Sequence, residues 1–331
     1  MGGNAFKNIK TERLQKAEYD LLSAEVCRKM ADRFRQFTVI TAYKNKKDFG
    51  DLDLLITKPK PDGTELNNFL ADNFNSREIV HNGDFVSFEY NNFQVDLIFI
   101  EPEYFDTACF YYSYNDINNL CGKIGHKFGV KFGFKGLWYP LRNGHGGKSE
   151  EVLLSTDVRK IYDFTGFDYD RYLKGFDNLE DIFEFVINSS YFNSEIFTAE
   201  KSQVAKVRER KRKTYHGFLN YLEGKSFKQN FQFDPDKEKY IEMIKDYFPE
   251  ANLKQAITEF NRKVDLSAKI NEKFNGKLVM EYIPGIEGKN LGNFIIQFKT
   301  KYNDFDNYIL NSPAEVIRQD ILDFYTAFQA Q

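Results

Sequence analysis

Over residues 11–34 the apolar positions Leu14, Tyr19, Leu22, Val26 and Met30 recur with the spacing of one helical face. This predicts an amphipathic helix laid on a core. The period then shortens. Residues 37–42 read as a strand, 44–48 as a polar turn, and 50–56 and 95–100 as apolar strands. Alternate side chains of a strand share a face, so Asp51 and Asp53 project together, about 7 Å apart, while Leu52 and Leu54 point the other way. Helices are expected at 157–164 and 178–185, and beyond residue 200 at 200–222, 237–247, 252–274, 291–301 and 313–328. The stretch 274–292, with Gly276, Gly285, Gly288 and Gly292, reads as a connector.

Composition narrows the class. The chain has 331 residues, 42% of them hydrophobic, which is enough for large cores and two domains. Cys27, Cys109 and Cys121 have neither pairing parity nor metal-ligand spacing, as expected in a reducing cytoplasm. No apolar run approaches the ~18 residues of a bilayer span, and the polar N-terminus is unlike a signal peptide, so a soluble cytoplasmic protein with no membrane partner is expected. No obligate protein partner is evident.

The strand at 50–56 carries the candidate chemistry. Two carboxylates on an otherwise apolar strand are costly unless a cation compensates them, and oxygen ligands suit Mg²⁺. Asp96, in the second strand, would supply a third. The plainer reading of Gly-Asp-x-Asp is a turn followed by a half-exposed strand, since short motifs arise by chance.

The residues after Asp96 resemble DNA polymerase beta-like (family X) nucleotidyltransferases. In that family the third metal-binding Asp is followed 15 residues on by a Tyr-Phe-Thr-Gly-Ser type turn, then a helix bearing Asn, then a basic position. Here the corresponding stretch is Tyr111-Tyr112-Ser113-Tyr114-Asn115-Asp116-Ile117-Asn118-Asn119, with Lys123 beyond it. The likeness runs on through Gly129-Val130-Lys131, Gly136-Leu137-Trp138 and residues 155–164, and covers roughly 36–175. It implies an α/β (α+β) palm with a mixed sheet, in which Asp51, Asp53 and Asp96 hold two Mg²⁺, or Mn²⁺. Tyr111 and Tyr112 would then pack on the sugar, Asp116 and Asn119 would face the base, and Thr41, Tyr43, Lys44 and Gly50 would lie against the nucleotide. Taken singly, the tyrosines also fit a core, Asp116 a helix N-terminus, and Asn119 and Lys123 a solvated face. The chain departs from the family just before the metal pair. Thr41-Ala42-Tyr43-Lys44 stands where members have the Gly-Ser that holds the triphosphate, leaving Lys44, Lys46 or Lys47 as point charges and Thr41 as a hydroxyl.

The net charge of −3 hides two basic stretches. Between Ile117 and Ser149 lie Lys123, Lys127, Lys131, Lys135, Arg142 and Lys148 with no acid, interleaved with Phe128, Phe132, Phe134, Trp138 and Tyr139. Phosphates plus stacked bases would suit that combination, as would a basic loop over an aromatic core. The second stretch, Lys206, Arg208, Arg210, Lys211, Arg212 and Lys213 with Glu209, fits a nucleic-acid contact or a solvated helix face. Residues 274–292 resemble the connector of the helical part of bacterial tRNA nucleotidyltransferases, the CCA-adding enzymes.

The resulting expectation is an N-terminal helix over 1–35 packing on a catalytic domain at 36–175, followed by an α-helical nucleic-acid-binding domain at 176–331. Its activity would be nucleotidyl transfer from a nucleoside triphosphate to an RNA 3′-hydroxyl, with tRNA ends preferred over DNA. The alternatives are a polymerase-beta-like DNA polymerase or terminal transferase, transfer to a protein or small molecule, and an inactive nucleic-acid-binding module.

Overall fold

The computed structural model describes residues 3–114, 117–142, 149–198, 212–225, 227 and 229–329. An extended strap opens the chain, pinned by Lys7 N–H to Glu78 Oε1 and by Glu12 N–H to the Asn92 carbonyl. It leads into β1 (Leu14–Gln15) and α1 (Lys16–Ala31), so the first helix starts later than its apolar spacing predicts. The reason is local. Leu14 and Gln15 pair with Phe49 and Asp48, and Glu18 reaches back to accept the Gln15 N–H, capping the helix there. Tyr19, Leu22, Val26 and Met30 are buried as expected.

After α1 come β2 (Phe37–Val39), β3 (Asp48–Phe49), β4 (Asp51–Thr57), α2 (Gly63–Phe74), β5 (Ile79–Asn82), β6 (Phe85–Tyr90) and β7 (Phe93–Ile100). Five of the strands form a mixed sheet in the order β2-β4-β7-β6-β5, in which only β4 and β7 run parallel. The alternation of β4 decides its two faces. Leu52, Leu54 and Ile56 turn into a core shared with α1 and α2. Leu55, with Ile98 and Ile100 of β7, turns to the other face and packs on Phe105 and Ala108 of α3 (Phe105–Tyr112). Asp51 and Asp53 precede Leu55 on that second face.

Just past α3 Tyr114 has φ 59°, and the next described element is α4 (Ile117–Lys127). Buried Asn118 of α4 holds the end of α3: its Nδ2 donates to the Phe110 and Tyr111 carbonyls and its Oδ1 accepts from Tyr162 Oη. A three-stranded sheet follows, built of β8 (Lys131–Gly133), β9 (Gly136–Leu141) and β10 (Glu150–Ser155). The helices α5 (Val158–Phe164), α6 (Tyr169–Leu173), α7 (Leu179–Ile187), α8 (Glu195–Thr198), α9 (Lys213–Leu222) and α10 (Ile241–Tyr247) complete a first compact unit, 1–140 plus 151–253.

The second unit comprises 141–150 and 254–331. It contains most of α11 (Leu253–Lys273), then α12 (Gly276–Tyr282), α13 (Gly288–Thr300), α14 (Phe305–Asn311) and α15 (Ala314–Phe328). Its core is aromatic and β-branched: Phe274, Phe294, Phe298, Ile309, Ile317 and Ile321. The predicted connector is therefore interrupted by α12, which Asn275 caps by accepting the Leu278 N–H. Among the described residues no helix is long and apolar enough to cross a membrane.

Candidate metal centre and its cavity

Parallel pairing sets Asp53 of β4 beside Asp96 of β7, and Asp51 beside Gln94. One ligand oxygen from each of Asp51, Asp53 and Asp96 lies within 4.8 Å of the other two. No other group of three such ligands occurs among the described residues. Burial raises the Asp53 carboxyl to about 8, helped by the charges of Asp51 and Asp96 and opposed by Lys46. Burial also raises Asp96, against hydrogen bonds from Ser87 and Gln94. These three carboxylates repel one another in a partly desolvated place, so a cation relieves both costs at once. An all-oxygen donor set of this kind fits a hard divalent ion.

Asp51 and Asp53 line a cavity of about 1100 Å³, with Ile98 of β7 and Tyr112 at the end of α3. The β1–β3 ribbon contributes Arg13, Lys46, Lys47, Asp48 and Phe49. The starts of α7 and α9 contribute Asn178, Glu180, Lys213 and Thr214. Behind the ribbon Tyr19 stacks on Phe49 with ring centroids 3.7 Å apart. The strap closes on Gly50: a methyl at Gly3, which has φ +89°, would come within 2.9 Å of the Gly50 carbonyl oxygen.

The other residues singled out by sequence separate into several places. Thr41, Tyr43, Gly50 and Tyr112 line the cavity. Lys44 does not; its ammonium pairs with Asp177 at 2.7 Å. Tyr111 packs edge-on to Tyr112 and Phe132 at the end of α3. Asn119 is half-buried on α4 and outside the cavity lining, and its neighbour Asn118 makes the buried contacts. Lys123 lies over the Tyr215 ring, Lys131 pairs with Glu151, and Lys127 is half-buried, all three away from the cavity lining. Lys135 pairs with Glu101. Phe128 is fully buried among Phe164, Tyr191, Phe233 and Tyr240, so it is a core residue and not a stacking surface. Arg212 precedes α9, while Asp116, Lys206, Arg208, Arg210 and Lys211 lie outside the described residues.

Arg13, Asn178, Glu180 and Thr214 were not among the expected site residues. Arg13 reaches the cavity only because β1 pairs with β3, two residues against two, which is too short to leave a period in the sequence. Lys213 carried a signal, as the last member of the basic run. A scan against family models finds no match for this chain, and a search of curated proteins finds no relative.

Proposed function

We propose that this protein is a metal-dependent nucleotidyltransferase of the polymerase-beta-like kind, moving a nucleoside monophosphate from a triphosphate to a hydroxyl acceptor. The observation that carries this reading is the convergence of Asp51, Asp53 and Asp96 within 4.8 Å at the edge of a cavity with room for a nucleotide. The three carboxylates would hold Mg²⁺, which supplies activation of the acceptor hydroxyl and charge neutralisation on the phosphates.

The remaining steps belong to the chain itself. Tyr112, buried on one side against Phe134 and open to the cavity, offers a rigid aromatic edge to a sugar. Gln94 and Ser87 orient Asp96. Arg13, Lys46 and Lys47 line the same cavity and would offset negative charge on a triphosphate bound there.

An RNA 3′ end is the first acceptor to test. A small-molecule or protein acceptor is the second reading, because the ion pairs of Lys131 and Lys135 and the burial of Phe128 remove part of the basic and aromatic surface that favours nucleic acid. The deciding experiment incubates the protein with Mg²⁺ and each labelled ribo- and deoxyribonucleoside triphosphate, offering tRNA lacking its terminal nucleotides, other RNA, primed DNA and no acceptor. Extension of RNA that vanishes in Asp51→Ala and Asp53→Ala supports the reading. Extension of primed DNA alone overturns the RNA acceptor, and activity that survives both substitutions overturns the metal assignment.

A further inference from the structure

The extended strap at 3–13 meets the metal centre at two points. Gly3 seats against the Gly50 carbonyl, and Gly50 directly precedes Asp51. The Ala5 N–H donates to Gln94 Oε1 at 2.9 Å, and Gln94 Nε2 donates to both carboxylate oxygens of Asp96. The remaining anchors of the strap are elsewhere. Lys7 N–H and Asn8 N–H donate to the two oxygens of Glu78 at 2.9 and 3.0 Å, just ahead of the edge strand β5. Thr11 Oγ1 donates to the Gly3 carbonyl at 2.6 Å, and Glu12 N–H to the Asn92 carbonyl at 2.8 Å.

The two sides of Gln94 enforce one orientation. A side-chain amide has one accepting and one donating end, a backbone N–H only donates, and an ionised carboxylate only accepts. Gln94 is 5% exposed, so when the strap lifts its Oε1 loses that donor in a buried place. The orientation that serves Asp96 is then no longer favoured from both ends. Ser87 of β6 also hydrogen-bonds Asp96, from the strand paired with it, and needs nothing from the strap. Asp96 therefore has one partner built into the sheet and one held in place by the strap.

The strap itself is lightly held. Its bonds to Gln94 and Glu78 are single hydrogen bonds in part-buried or exposed settings. Among the hydrophobic residues packed on the core beneath α1 and α2, Leu14 comes first along the chain, after the strap has ended. A segment with few apolar contacts and solvent-facing backbone bonds opens without unfolding the rest, so its docking is an equilibrium that a ligand can shift.

We propose that the strap is a positioning element of the metal centre, acting through the Ala5 N–H and Gln94 on Asp96, so that strap docking and occupancy of the Asp51, Asp53 and Asp96 site by a divalent ion favour each other. The coupling rests on the metal reading above and on no transfer reaction. Such linkage is reciprocal: the factor that docking adds to ion affinity, the ion adds to docking. Cleavage of the strap, or its capture by another molecule, thus lowers ion occupancy at a site to which the strap gives no ligand.

Calorimetry on the full-length protein reads Mn²⁺ affinity, and hydrogen exchange of peptides covering 3–13 reads strap opening. Saturating Mn²⁺ should slow strap exchange in the wild type by roughly threefold to tenfold, the lower range of outer-shell effects because Gln94 stands between. Glu78→Ala removes two anchors without touching Gln94 or the three site carboxylates, and Ala5→Pro removes the N–H itself. Each should speed strap exchange and weaken Mn²⁺ by the same roughly threefold to tenfold. In a Gln94→Leu background both substitutions should leave Mn²⁺ affinity unchanged, since the route is already cut. Equal losses with and without Gln94 overturn that route. A Glu78→Ala protein with native near-ultraviolet circular dichroism, faster strap exchange and wild-type Mn²⁺ affinity overturns the coupling. Unchanged strap exchange in Glu78→Ala overturns the anchoring. Should Ala5→Pro fail to fold, Glu78→Ala decides. A wild type that binds no Mn²⁺ overturns the metal reading and the coupling with it, whereas Mn²⁺ binding with a strap that does not respond removes the coupling alone.

Discussion

Gln94 Nε2 donates to both carboxylate oxygens of Asp96, at 3.0 and 2.8 Å, while Gln94 Oε1 accepts the Ala5 N–H at 2.9 Å. The side chain thus links the N-terminal strap to one of the three carboxylates. Gln94→Leu should lower divalent-ion affinity by roughly 10–100-fold, the usual effect of removing an outer-shell partner. Gln94→Glu should instead place a further negative charge beside Asp96 and make metal binding steeply dependent on pH. Calorimetric Mn²⁺ titrations across pH check both, and Gln94→Leu with wild-type affinity would return Gln94 to a purely structural role.

Asp53, together with raised Asp96, contributes a pH dependence to the metal-free fold. Its carboxyl is raised from 3.8 to about 8 by burial and by its two acidic neighbours. A group whose folded value lies above its unfolded value stabilises the fold fully at low pH and loses that contribution as pH rises through the folded value. Thermal melts in a chelator should therefore fall as pH climbs toward about 8. Mg²⁺ or Mn²⁺ should restore more stability at the alkaline end than at the acidic end. Asp53→Asn should flatten the chelator curve and raise its alkaline portion while abolishing the metal response. A wild-type curve that is flat over this range would contradict the assignment.

Asn118 ties the end of α3 to Tyr162 of α5 through three hydrogen bonds, two of them buried. Asn118→Ala strands the Tyr111 carbonyl and leaves the Tyr162 hydroxyl with only the Cys121 sulfur, while the Phe110 carbonyl keeps the Tyr172 hydroxyl, and it should cost about 2–3 kcal/mol by urea unfolding. Tyr162→Phe removes one of the three bonds and should cost about 1 kcal/mol. The double variant should be less than additive, since both remove the same Oη to Oδ1 bond. Because α3 ends at Tyr112, Asn118→Ala should also alter the KM for any nucleotide more than Tyr162→Phe does.

Phe128 separates a core aromatic from a base-stacking one. Its ring meets those of Phe164, Tyr191, Phe233 and Tyr240, so Phe128→Ala should destabilise the first unit by about 3–5 kcal/mol. Denaturant unfolding measures this directly. A stable Phe128→Ala protein with weakened nucleic-acid binding would place the ring on a binding surface after all.

The strands at 50–56 and 95–100 and the three aspartates were legible because one apolar period is interrupted by acids on a single face. The helices at 16–31, 253–273 and 314–328 were legible from their 3.6-residue period. The rest was not, for reasons of scale and distance. The two-residue ribbon that carries Arg13 has no period to read, and α12 is a seven-residue helix inside a glycine-rich stretch whose glycines suggest a loop. The run of lysines between Ile117 and Ser149 suggested an open basic surface. Its partners Glu101 and Glu151 lie outside that window, so their pairing with Lys135 and Lys131 exists only in the folded chain.

The parallel pairing of β4 with β7 bears on how the protein folds and unfolds. Between the two strands the chain must form α2 and the β5–β6 hairpin, so the contact of Asp53 with Asp96 is among the costlier loop closures of the sheet. A nascent or partly opened chain presents only the Asp51 and Asp53 pair, and the third oxygen arrives when β7 docks. A divalent ion would therefore act chiefly on the completed sheet, lengthening the lifetime of the native state against unfolding rather than hastening its formation.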